Sequence, residues 1–199
     1  FRRVLFRSLT EARANGIAGA AYYREGQYQK AKTEYEAAIR KLTLIDNYIE
    51  IGRVRLNLVL IHIKLKEWGE AENGLAAAGR IFAGKKLPED QARAVSIRGQ
   101  LHEARGELDR ALQAYQEALV ILQQGQADLR DVSEQFGNIG YIQYRKQNDR
   151  EAIRWLLQAV SLADRIRFYD HLPEYYTWLG EAHLRTGKPE IAANYFFNA

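Results

Sequence analysis

The apolar residues of this chain recur at helical rather than alternating spacing. Ala31, Tyr35 and Ala38 lie four and three residues apart, on one face of a helix. The triplet returns as Ala71, Leu75 and Ala78, then as Ala111, Tyr115 and Ala118. It returns again as Ala152, Leu156 and Ala159, and as Ala192, Phe196 and Ala199. The leading alanines are 40, 40, 41 and 40 residues apart. Twelve positions before them stand Gly19, Gly99, Gly140 and Gly180, with Val59 in the second unit. Small residues let two helices approach closely, and large ones fill the space between them. A fixed period of this size predicts stacked helix-turn-helix units, because one pair cannot bury its own apolar face. No strand pattern stands out.

Five units follow, at about residues 12–47, 48–87, 88–127, 128–168 and 169–199, in a single array over 9–199. Gly26, Gly106 and Gly187 precede the second helix of their units, where the turn favours a permissive backbone. Lys66 and Gln147 replace this glycine, which predicts another turn geometry there. Pro189 fits the first position of the last helix, where a missing N–H is tolerated. The run Leu56-Asn57-Leu58-Val59-Leu60-Ile61 is more apolar than its counterparts and predicts a helix buried on more sides.

These columns resemble the tetratricopeptide repeat. The resemblance is clearest from Gly19 to Ala31 and from Trp178 to Pro189, and extends over residues 12 to 199. The usual period is about 34 residues. The step of 40 resembles the long-helix subgroup of kinesin light chains, Pins-type proteins and MalT-like sensor regions. The resemblance implies an all-α fold, a right-handed α-α superhelix of about five repeats. It also implies a concave groove, lined by the first helix of each pair, that binds peptides or protein segments.

The first eight residues, Phe1-Arg2-Arg3-Val4-Leu5-Phe6-Arg7-Ser8, fall outside the pattern. They read as the translation of a sequencing adapter, TTC AGA CGT GTG CTC TTC CGA TCT, and are expected to be a scar from assembled environmental DNA. The chain has no methionine and stops inside the second helix of unit five, so a fragment of a longer protein is expected. The formal net charge is +4, of which the octapeptide's three arginines, with no acid beside them, supply most. About +1 remains for residues 9–199, too little to argue for nucleic acid or a membrane surface as partner. The absence of cysteine excludes disulfides and thiolate sites. No stretch is apolar enough to span a membrane, and a cytoplasmic location is expected.

His62, His102 and His183 share one column, nine residues before the alanine, so each stands on a different helix pair. Shared metal ligation needs ring nitrogens about 2 Å from one ion, while packed helices lie about 8–10 Å apart. Polar-tipped spacers are expected, with no metal and no cofactor. His171 lies in a connection without a companion. Gly84-Lys85-Lys86 and Gly187-Lys188 lack the rest of a phosphate loop, and no nucleophile motif is present. A non-enzymatic role is expected.

Binding candidates come from the first helices. One row, seven before the alanine, reads Arg24, Lys64, Ala104, Arg145 and Arg185. A second reads Arg13, Arg53, Arg93, Glu134 and Glu174. Between them lie Tyr23, Gln100, Tyr141 and Tyr144. Repeated cations favour ligand carboxylates, and tyrosines add rigid contact area. The first row also fits helix last turns, where a cation complements the helix dipole by about 0.3–1 kcal/mol. Asn57 and Asn138 share a column where, in the long-repeat subgroup that the chain resembles, asparagine clamps a peptide backbone; a polar packing contact is the alternative.

The expected function is a protein- or peptide-binding scaffold, its ligand possessing acidic groups. The competing expectation is the sensor or regulatory segment of a bacterial signalling protein or MalT-like transcription regulator. Self-association through the array ends is a third.

Overall fold

The computed structural model describes residues 2–85, 87–125 and 127–199. Its described residues form ten α-helices in chain order. They fall into two compact units, Phe1–Ile97 and Arg98–Ala199. The first unit holds α1 (Arg2–Arg24), α2 (Tyr28–Thr43), α3 (Tyr48–Lys64), α4 (Trp68–Ala83) and the first part of α5 (Pro88–Ala104). Here α1 packs on α2, α2 on α3 and α3 on α4. The second unit holds the end of α5, α6 (Leu108–Gln124), α7 (Leu129–Arg145), α8 (Asp149–Ile166), α9 (Leu172–Arg185) and α10 (Pro189–Asn198). Here α6 to α10 each pack on the next, and α7 also touches α9.

The small-residue columns make these contacts possible. All five leading alanines are fully buried. A Cβ added at Gly19 would stand 2.9 Å from the Tyr35 ring. At Gly99 it would stand 2.7 Å from Tyr115, at Gly140 2.7 Å from Leu156, and at Gly180 2.5 Å from Phe196. The large residue four past each alanine therefore seats on the glycine of its own pair. The second pair inverts the arrangement. Val59 is large and fully buried, and the space is found across the interface at Gly74, where a Cβ would fall 2.5 Å from Val59.

Two sequence expectations are corrected. The turns at Lys66 and Gln147 do not use another geometry. Their φ angles are 60° and 61°, beside 73°, 79° and 75° at Gly26, Gly106 and Gly187. All five turns carry the same pair of capping bonds. The Gly26 N–H donates to the Tyr23 carbonyl and the Gln27 N–H to the Tyr22 carbonyl. The Lys66 N–H donates to Ile63 and the Glu67 N–H to His62 in the same way. This double cap ends a helix with one left-handed residue, and it holds lysine or glutamine there against their steric preference. Secondly, the apolar α3 is not distinctively buried. Leu58 and Leu60 are only half-buried, while the far more polar α7 buries Ser133, Gln135 and Gln143. The reason is close approach: Gly137 lies against the Tyr175 ring, where a Cβ would fall 2.3 Å away. Pro189 opens α10 as expected.

Candidate functional site

The first helices carry the predicted binding rows, and the two units use them differently. Arg24, Lys64, Arg145 and Arg185 are the last residues of α1, α3, α7 and α9. Each therefore complements a helix C-terminus.

In the first unit Arg24 and Lys64 are exposed, and neither forms an ion pair among the described residues. In the second row Arg13 is exposed, whereas Arg53 and Arg93 are engaged in the fold. Arg53 donates to both Asp90 carboxylate oxygens, at 2.9 and 3.0 Å, and to Glu50 at 2.7 Å. These bonds hold the Arg53 guanidinium pKa well above its usual value, the Asp90 bonds being the largest cause. Arg93 donates to the Asn57 side-chain carbonyl at 2.6 Å. That leaves Asn57 its N–H₂ group for any further partner.

In the second unit α7 and α9 lie side by side. Their contacts are staggered by about one turn: Tyr141 meets Trp178, and Tyr144 meets Glu181 and Arg185. The Tyr141 and Trp178 rings approach to 4.4 Å between centroids, and Tyr141 stacks on Tyr144 at 6.3 Å. The Arg145 guanidinium lies over the Tyr141 ring and donates to its hydroxyl oxygen at 2.9 Å. Tyr144 donates its O–H to Glu181. That bond, ahead of burial, raises the Tyr144 pKa. Arg185 lies 4.2 Å over the Tyr144 ring, donates to the Tyr144 carbonyl at 3.0 Å and pairs with Asp149. Arg185 is thus a tie between neighbouring pairs. Arg145 keeps an exposed guanidinium that forms no ion pair among the described residues, although the Glu103 carboxylate is near enough to add to the rise in its pKa caused chiefly by Tyr141. Asn138 is half-buried on the same stripe of α7, about two turns before Arg145.

Glu134 of the second row lies 3.5 Å from His171. Its carboxylate, outweighing burial, raises the His171 pKa. The histidine column does more than space helices. His62 Nδ1 meets Glu67 at 2.5 Å and His102 Nδ1 meets Glu107 at 2.7 Å. In the fourth pair Asn148 donates to Gln143 at 2.9 Å. Each side-chain bond closes over the capped turn between its helices. The glutamates titrate below their usual range, chiefly because of these histidines. In the last pair the partner position is Lys188, and the buried His183 Nδ1 has no hydrogen bond. No group of three or more metal-ligating side chains occurs among the described residues. No described helix is long and apolar enough to cross a membrane.

Sequence reasoning located the rows but missed their partners. Asp90, Asp149 and Glu181 are charges on neighbouring pairs about one period away, and nothing local marks them. The turn-closing Glu67, Glu107 and Asn148 were visible as a column four before the alanine, opposite His62, His102 and Gln143.

Stacked helix pairs joined by capped turns, with side chains aligned along the first helices, define a helical-repeat interaction module. Residues 12–40 and 69–128 match the tetratricopeptide repeat. These two segments carry the tetratricopeptide repeat, and the helix pairs outside them continue the same architecture. No curated protein matches it by sequence. Among solved structures it is similar to a Rap protein complexed with Competence and Sporulation Factor, with TM-score 0.83, 17% identity, and coverage of 96% of this chain and 53% of that one. It is also similar to the Rap conjugation gene regulator of plasmid pLS20 in complex with the Phr* peptide, with TM-score 0.75, 18% identity, and coverage of 91% and 50%. BtubC (BKLC) of P. vanneervenii matches with TM-score 0.72 and 18% identity over 99% of this chain and 88% of its own. The chain spans about half the length of the Rap structures it matches.

Proposed function

We propose that this tetratricopeptide-repeat domain is a non-catalytic scaffold segment that holds a peptide or extended protein segment against its first helices. The observation that carries the reading is the stripe on α7 and α9. Asn138 offers an amide that can donate and accept, as a peptide group requires. Tyr141 and Trp178 offer a paired aromatic surface, and Arg145 an exposed guanidinium that bonds the Tyr141 hydroxyl and keeps further N–H groups for a carboxylate. In the first unit Arg24, Lys64 and the Asn57 amide N–H₂ present the same chemistry. Arg185 and Tyr144 act as supports, since their polar groups are spent on Asp149 and Glu181. The Rap conjugation gene regulator, which shares the fold and is in complex with the Phr* peptide, supports the reading. The length of the Rap structures, about twice that of this chain, also favours a second reading, in which the array is the sensor segment of a longer regulator.

Peptides selected by display against the wild-type chain supply the probe. Arg145→Glu and Asn138→Ala are each expected to weaken them at least about 10-fold, or about 1.4 kcal/mol, with unchanged thermal unfolding. Full affinity in both variants, and in Arg24→Glu with Lys64→Glu, overturns the assignment.

A further inference from the structure

The binding stripe leaves the other side of the second unit unexplained. Leu129, Val132 and Phe136 stand three and four apart on the first half of α7. At 3.6 residues per turn they lie on the side of α7 opposite Asn138, Tyr141 and Arg145. Leu157 and Leu162 of α8 face them across an open cleft of about 450 Å³. The core face of α8 (Ala152, Leu156, Ala159 and Ala163) points the other way. Val132 and Leu162 form a nearly buried floor, whereas Leu129 and Leu157 are 44% and 41% exposed. The polar lining is Gln158, Ser161 and Arg165, with no carboxylate. Arg165 is exposed and forms no ion pair among the described residues.

The first unit repeats the arrangement at the equivalent place. Tyr48 and Ile49 of α3 face Ile81 of α4 across a cleft of the same volume, with Lys85 at its rim. Its one acid, Asp46, already accepts the Tyr48 hydroxyl at 2.9 Å. An apolar cleft edged by a cation at the end of the second helix thus recurs on a face the peptide stripe does not use.

We propose that the α7–α8 cleft is a second docking site, which takes the apolar face of an amphipathic partner helix presenting an acidic side chain to Arg165. Helix-in-groove recognition uses anchors at i, i+3, i+4 and i+7. The walls offer apolar area to such anchors, and the acid-free lining selects the sign of the charge beside them.

The probe is a synthetic amphipathic helix with leucines at those positions and glutamates along one flank, compared with a lysine-flanked twin. Trp155, whose ring lies 5.8 Å from Phe136, reports occupancy by its emission. The glutamate peptide is expected to bind and to shift that emission. Leu157→Glu should weaken it at least about 10-fold, with the milder Leu157→Gln as a second variant should the first lose its helical circular dichroism. Arg165→Glu should reverse the preference toward the lysine peptide. Arg145→Glu, which should weaken the stripe's own peptides, should leave the affinity of the glutamate helix for this cleft unaltered, which separates the two sites. The proposal is overturned by equal binding of the two peptides or by undiminished binding to both Leu157 variants. A wild-type dimer that disperses in Leu157→Glu also overturns it, because the occupant is then a second copy of the chain.

Discussion

Lys66 and Gln147 occupy the left-handed region at φ 60° and 61°, where three sister turns carry glycine. A β-carbon there costs about 1–2 kcal/mol, while glycine returns part of the gain as unfolded-state entropy. Lys66→Gly and Gln147→Gly should therefore each stabilise the fold by roughly 0.5–1 kcal/mol, measured as a higher denaturant midpoint at constant slope. A lower midpoint would show that the side chains contribute more than the strain removes. The glycine signal was legible where the residue is glycine. It misled at Lys66 and Gln147, because a turn's geometry is set by its backbone bonds rather than by the residue that suits it best. The same lesson applies to Val59, whose missing glycine reappears across the helix pair as Gly74.

At the scale of the element, each pair is closed by a capped turn and, in three pairs, by a side-chain bond across it. The last pair lacks that bond. Its His183 is buried, its Nδ1 is unpartnered, and burial followed by Lys188 lowers its pKa. The unfolded chain therefore takes up this proton more readily than the folded one. Stability is complete above the ordinary histidine value of 6.5 and declines as pH falls through it toward the depressed folded value. Lys188→Glu should supply the carboxylate that Glu67 and Glu107 give their histidines. Nuclear magnetic resonance titration should then show the His183 pKa rising, and the loss of stability in mild acid should shrink. An unmoved pKa would mean that burial, not the Lys188 charge, sets the depressed value. The helices themselves were readable from spacing and turn residues. The extent of their burial was not, since it depends on how closely a neighbour approaches, as Gly137 under Tyr175 shows.

At the scale of the whole molecule, a repeat array gains stability from nearest-neighbour interfaces, so damage should stay local. Gly140→Val would drive side-chain atoms into Leu156, whose backbone nitrogen lies 3.1 Å from a Cβ at that position and cannot give way freely. Overpacking of this kind costs about 1–3 kcal/mol. Hydrogen exchange should quicken in α7 and α8 and stay unchanged in α1 and α2. Uniform acceleration along the chain would instead show one cooperative fold. The sequence by itself determined the period, the helical class, the positions of the turns and the rows of side chains along the first helices, because each depends on residue spacing along one chain direction. The tertiary structure alone decided which charges in those rows remain free. Arg53, Arg93 and Arg185 are spent on Asp90, Asn57 and Asp149, whereas Arg145 bonds the Tyr141 hydroxyl and forms no ion pair among the described residues. Asp90, Asn57 and Asp149 lie about one repeat from their arginines in sequence, and only the stacking of one pair on the next brings them within reach.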